Sequence, residues 1–367
     1  MTSILFYTSF NTRSVTLEST IYEFNRRGYK TILYTTCETG EIHNTLINNN
    51  ILAIGNKSKW KLFNILLNAY LLHKICKKYN VAIVHAHLQM PSIIAVITNL
   101  FSSWKLITVR HHSDIVFINN RFKERIIDSI INKLSPCIVA ISDAVAQQLF
   151  KEGVRSKKIH RINNGYDFTI YNTLKSDKSI RQTYNCKLLL LSIARHVPGK
   201  RLIELINAVE KIIQNNIDIK LVLLDDGPLN ITLKHEVNTR GLQNNIFLPG
   251  RVTNISDYIL ASDVLVLPSV SEASNNAVKE AGYFEKGIIV CNEVGDFNSY
   301  LQHLQSAYFI PKYFNSAELE NAILYFYNNL PYIKKMGLFA KLRILEVFDI
   351  KKVVDKYEDL HNLILIK

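Results

Sequence analysis

The stretch "VLVLPSVSEASNNAVKEAGYFEKGIIVC", residues 264–291, sets two short apolar runs on either side of a helix-length segment. The first run, "VLVL", is apolar at every position rather than at alternate ones, as in a strand covered on both faces. Glu272 and two adjacent asparagines follow, then a helix that Asn275 or Asn276 would cap. A second buried strand, Gly287-Ile-Ile-Val, comes a few residues later. Strand, helix and strand in this order make the unit of a parallel α/β sheet.

The same rhythm runs along nearly the whole chain. The first half offers "SILFYTSF", "KTILYTT", "AIVHAHL", "KLITVRH" and "CIVAIS" as strands, and the second "LLLLSIA", "KLVLLDD", "VLVLPS", "GIIVC" and "AYFI". Amphipathic segments such as "TLESTIYEFNRRG" lie between them, this one with Gly28 as its stop. At 367 residues the chain is too long for one ordinary core. The expected fold class is α/β, as two doubly wound Rossmann-like domains, residues 1–175 and 176–349, divided within the polar stretch 171–186. Open parallel sheets bind ligands at the carboxyl ends of their strands, so the expected site is a central cleft that the two domains face.

Composition narrows the function. Hydrophobic residues make up 48% and charged residues 20%, a globular balance. The five cysteines are far apart and form no CxxC pair, so neither a zinc site nor a disulfide framework is expected, and a reducing cytoplasm is. The opening "MTSILFYTSF" lacks the basic start of a signal peptide, and "PSIIAVITNLFSSWKLITV" is too interrupted to span a membrane. Charge is lopsided: residues 1–175 carry 22 Lys and Arg against 10 Asp and Glu, the remainder 22 against 21. A basic half points to an anionic partner. No helix-turn-helix, RNP or zinc motif supports nucleic acid. Neither GxGxxG nor a Walker A loop is present; "VPGKR" lacks the earlier glycine and the Ser or Thr.

The chemistry gathers in the second half. In "SIARHVPGKR" a strand ends at Arg195, and Lys200 follows five residues later near a helix start, where both cations suit a diphosphate. Glu272 precedes the asparagines and Glu280 lies about one turn inside the helix, one carboxylate for sugar hydroxyls and one for ribose hydroxyls.

The ordered set R-x4-K, "DDGP", "LPGRV", "ASDVLVLPSVSE", E-x7-E and "EVGD" closely resembles the retaining glycosyltransferases of family 4, which have the GT-B fold. "IVAISDAVAQQLFKEGVRSKKIHRINNGYD" looks like that family's run into its interdomain linker, with N-G-x-D at Asn164, Gly165 and Asp167. "FDIKKVVDKYEDLHNLI" is similar to its closing helix, expected here over 350–367 and crossing back to the first domain. The resemblance implies transfer of a sugar from a nucleotide-diphosphate sugar, with retention and no required metal or other cofactor. Arg195 and Lys200 would stabilise the leaving diphosphate, Glu272 the donor sugar and Glu280 the ribose. Gly250, Arg251 and Val252 would lie by the base, with Asn275 and Asn276 also on the donor side. His111, with His112 as the alternative, would stand near the transferred sugar.

On the acceptor side the candidates are Arg13, His85, His87, Arg110 and His112. His85 and His87 share one side of their strand by alternation. Relatives elongate lipid-linked saccharides, so the expected setting is bacterial surface polysaccharide or lipopolysaccharide biosynthesis, cytoplasmic or peripheral on the inner membrane face. Arg26-Arg27, "NKSKWK" and "RFKER" would meet anionic headgroups. The chain departs from the family in four places. Asn11-Thr12-Arg13-Ser14 replaces a Gly-Gly loop, and Ala273-Ser274 breaks the usual E-G-F-x-N. Asp225 stands where glycine is common, and "GDFNSYL" lacks a frequent acidic residue. A nucleotide-sugar 2-epimerase on the same fold is the rival reading.

Overall fold

The computed structural model describes residues 2–56, 61–112, 122–172 and 178–366, with only the backbone of 61–64 and 178. Lys57 and Lys59 of "NKSKWK", Arg121 of "RFKER" and residues 173–177 of the expected boundary lie outside the described residues. Two compact units are present: Met1–Asp167 with Phe348–Lys367, and Phe168–Val347.

The first unit holds β1 (Ser3–Thr8), β2 (Lys30–Thr35), β3 (Leu52–Gly55), β4 (Ile83–His87), β5 (Lys105–Arg110), β6 (Ile138–Ala140) and β7 (Ile159–Arg161). They form one parallel sheet in the order β3-β2-β1-β4-β5-β6-β7. The strands β3 and β7 escape a reading by apolar runs because they are short and lie at the sheet edges, where less burial is required. One face packs Leu5, Tyr7, Tyr34 and Val84 against helices Lys61–Lys78, Gln89–Asn99 and Phe122–Leu134, through Leu72, Ile94 and Ile131. Helix Val15–Arg26 stops as expected, with Gly28 at φ +88°.

The last helix, Ile350–Ile366, packs on helix Val15–Arg26 within this unit. Tyr166 N donates to Phe348 O at 2.8 Å and Ile350 N to Tyr166 O at 3.0 Å. Gly165 explains part of the N-G-x-D run: a Cβ there would stand 2.6 Å from Ile350 Cδ1 and 3.1 Å from Val353 Cβ, so a side chain would press on the helix at both points. Arg27 anchors the same helix, donating to Asp355 at 2.6 Å and Glu358 at 2.5 Å while also bonding Glu23 at 2.8 Å. That employment takes Arg27 out of the expected headgroup cluster. Arg26 is bound to Glu23 at 2.7 Å.

The second unit holds β8 (Leu188–Ile193), β9 (Ile219–Leu224), β10 (Ile246–Gly250), β11 (Val264–Leu267), β12 (Gly287–Cys291) and β13 (Tyr308–Ile310). Their order, β10-β9-β8-β11-β12-β13, is again doubly wound and parallel. Every residue of β11 and β12 is buried, as the two-sided apolar pattern requires.

Candidate functional site

In the second sheet the strand order reverses between β8 and β11, which opens a crevice at their carboxyl ends. The loop after β8 carries Arg195 and Lys200; the loop after β11 carries Glu272. Val270 N donates to Gly199 O at 3.0 Å and clips the two loops together. Across that clip Lys200 Nζ donates to Glu272 Oε1, with the side chains 17% and 9% exposed. Two residues read separately, one for phosphate and one for sugar, thus form one ion pair. Arg195 stands exposed at the end of β8.

Helix Asn276–Tyr283 begins as expected, with Asn275 rather than Asn276 as its cap: Val278 N donates to Asn275 Oδ1 at 3.2 Å. The other N–H groups of its first turn have no partner within the helix. Beneath that loop Lys279 and Asp296 are wholly buried, 3.7 Å apart. Ser274 joins them, donating to Asp296 at 2.5 Å and accepting from Lys279. Gly295 lies so close that a Cβ would stand 2.9 Å from Glu272 Cβ. Ser274, which breaks the family's usual E-G-F-x-N, and Asp296, an acid within "GDFNSYL", therefore brace the site.

Glu280 is half-buried and accepts a hydrogen bond from the Tyr171 hydroxyl. Burial pushes its pKa up to about 7, partly offset by Tyr171 and Lys279. Tyr171 closes the 3-10 turn Phe168–Tyr171, which is held where Phe168 stacks on Tyr283 at 4.8 Å. Arg251 donates to Asp225 at 3.1 Å, beside Gly250 at the end of β10 and half-buried Val252. Asp225 has φ +85°, the left-handed backbone that makes glycine common there. Its carboxylate accepts from Asp226 N at 2.8 Å, a local bond that helps hold the turn.

In the first unit the loop after β1 is pinned by Arg13, which donates to Glu18 at 2.9 Å. His87 and His111 pair, Nδ1 to Nε2, at 3.0 Å. Burial, then the neighbouring His112, holds the His111 pKa down to about 4, so its ring is neutral at physiological pH.

Three acceptor-side candidates are used elsewhere. His85 is fully buried and bonds His361 at 2.7 Å among Phe6, Phe24 and Tyr357, so it serves packing of the last helix. Arg110 is buried against Asp128 at 2.8 Å and Glu152 at 3.1 Å. His112 bonds Asp128 at 2.8 Å. These acids lie 16 to 42 residues away in sequence, beyond the reach of local patterning. Lys279, Asp296, Tyr171 and His361 were missed. Lys279 and Asp296 left no signal of their own, since charged neighbours such as Glu280 and Glu293 surround them in the sequence.

Among the described residues no group of three or more His, Cys, Asp or Glu is placed to hold a metal ion. No helix there is long and apolar enough to cross a membrane.

Comparison with known proteins covers both units. Residues 14–169 match the family model described as Glycosyltransferase Family 4, and residues 175–343 that of Glycosyl transferases group 1. N-acetyl-alpha-D-glucosaminyl L-malate synthase of Bacillus anthracis is 22% identical over 80% of this chain and 77% of its own length. The UDP-Gal:alpha-D-GlcNAc-diphosphoundecaprenol alpha-1,3-galactosyltransferase of Escherichia coli is 24% identical over 79% of this chain and 77% of its own. The crystal structure of Anabaena Alr3699/HepE in complex with UDP-glucose superposes with a TM-score of 0.82 at 17% identity, covering 99% of this chain and 100% of that one. At that identity the last likeness is one of fold.

Proposed function

The chain belongs to the family 4 glycosyltransferases, and from that membership we propose that it moves a sugar, with retention, from a nucleotide diphosphate to a saccharide or lipid-linked saccharide. The observation that carries the reading is the Lys200–Glu272 pair at the crevice between β8 and β11. A cation for the diphosphate and a carboxylate for the sugar are there held by one hydrogen bond. Lys200 and Arg195 neutralise the charge that develops on the leaving diphosphate. Glu272 accepts from sugar hydroxyls, and Glu280, held by Tyr171, from the ribose. Gly250, Arg251 and Val252 line the base, and Asn275 and Asn276 the phosphate side. His111, kept neutral by its burial and oriented by His87, works on the sugar side.

With two cations at the phosphates, no metal is needed and transfer persists in EDTA. Of the two relatives, the one named for a diphosphoundecaprenol-linked acceptor supports surface polysaccharide, including lipopolysaccharide, as the setting. They are transferases, and neither is an isomerase. The working compartment is the cytoplasm, at the inner membrane face.

Thermal shift with UDP-, GDP-, ADP- and CMP-sugars tests the donor, since a ligand that binds the folded state raises its stability. Labelled transfer to a lipid-linked acceptor then tests the reaction. No stabilisation by any nucleotide sugar would remove the reading.

A further inference from the structure

Residues 42–113 contain no Asp or Glu at all, in a chain with 31 of them, while holding eight Lys and Arg. Three helices drawn from this stretch and the next, Lys61–Lys78, Gln89–Asn99 and Phe122–Leu134, cover one face of the first sheet side by side. His73 Nδ1 lies 3.4 Å from Ser102 Oγ, which ties the first helix to the end of the second. Gln89 donates to Glu124 O at 2.7 Å and Asp128 at 2.9 Å, tying the second to the third. Their outer surfaces therefore form one continuous face.

That face is apolar where water should meet it. Leu66 and Tyr70, one turn apart, are 71% and 61% exposed, and Leu100 and Phe101 are 60% and 83% exposed. Phe122, Ile126 and Ile130 repeat the pattern at i, i+4 and i+8 along the third helix. Single exposed apolar side chains are ordinary, but a contiguous set on packed helices marks a docking surface. Lys74, Lys77, Lys78, Lys123, Arg125 and Lys133 are exposed on the same helices. The acids of the third helix do not offset them: Asp128 is turned inward onto Arg110 and His112, and Glu124 is half-buried.

The geometry points to this face as the surface by which the chain docks on an anionic lipid bilayer, an inference that rests on the lipid-linked acceptor proposed above. Lysines around aromatic and aliphatic side chains suit the boundary between headgroups and acyl chains. A second copy suits it poorly, because a two-fold interface would set this cationic patch against the same cationic patch. The docking charge is thus moved from Arg26 and Arg27, which are paired with acids, to the three-helix face.

Flotation of the full chain with vesicles of phosphatidylglycerol and phosphatidylcholine in equal parts, and of phosphatidylcholine alone, tests the assignment. The expected result is binding to the anionic vesicles that salt reverses. Leu100→Ser with Phe101→Ser, and separately Lys77→Glu with Lys78→Glu, should weaken it at least about tenfold. Leu338→Ser with Phe339→Ser, which removes exposed apolar side chains of the second unit, should bind like the parent. Melting of each variant checks folding, and Phe101→Ser alone replaces any pair that melts early. Absent binding by the parent, equal loss in the Leu338/Phe339 variant, or a lipid-free dimer dissolved by the Leu100/Phe101 change overturns the inference. Stabilisation by the UDP-, GDP-, ADP- and CMP-sugars is read without vesicles, so a failure of the transferase reading shows itself separately.

Discussion

The ammonium of Lys279 and the carboxylate of Asp296 lie 3.7 Å apart with neither side chain exposed to solvent. A charge so enclosed is tolerated only while its partner is there, because desolvation of a lone ion costs several kcal/mol. Lys279→Met should therefore lower stability by about 3–5 kcal/mol in urea unfolding. Adding Asp296→Asn should recover part of that loss, since no charge then remains buried. A double-mutant cycle with no coupling would show that the pair is not acting as one.

Lys200 is the second test. In the proposed reaction Lys200, paired here with Glu272, is the cation that neutralises the leaving diphosphate. Lys200→Ala should lower kcat by about 100-fold or more, the loss typical of a donor to developing charge, with a smaller change in donor affinity. Unchanged turnover would take the lysine out of the catalytic cluster.

Glu280 predicts two opposite pH effects. Its carboxyl holds a proton more tightly folded, at about 7, than at the ordinary 4.5. Its contribution to stability is thus fully present below 4.5 and lost as pH rises through about 7. Glu280→Gln should flatten stability over that window and exceed the parent at alkaline pH. Binding of the nucleotide sugar that stabilises the chain in the thermal-shift screen should run the other way, rising through about 7 as the carboxylate becomes the better acceptor for ribose hydroxyls. The Gln variant should bind more weakly with no such rise; calorimetry across pH reads both.

Arg27 joins helix Val15–Arg26 to the last helix through Asp355 and Glu358. Arg27→Ala should cost about 1–2 kcal/mol, the worth of charge-assisted hydrogen bonds that are partly open to water. Limited proteolysis should then cut within Ile350–Ile366 sooner than in the parent. Equal cutting rates would mean that His361 and Tyr357 hold the helix without it.

Much of the architecture was legible from local pattern. Strands such as "VLVL" and "GIIVC", buried on both faces, can be nothing but apolar throughout, so parallel α/β layers follow from composition run by run. R-x4-K and E-x7-E stood out only through their ordered resemblance to family 4, since isolated charges at strand ends and a helix start are common on surfaces. What the tertiary structure alone decided is which of these charges meet. Lys200 finds Glu272 from 72 residues away, and His85 finds His361 from 276. Arg110 and His112, plausible ligands by position, turn to the buried Asp128 instead. Periodicity reports the face on which a side chain lies. Its partner depends on loops and helices that sheet order brings together, and a buried charge accepts whatever opposite charge packing sets beside it.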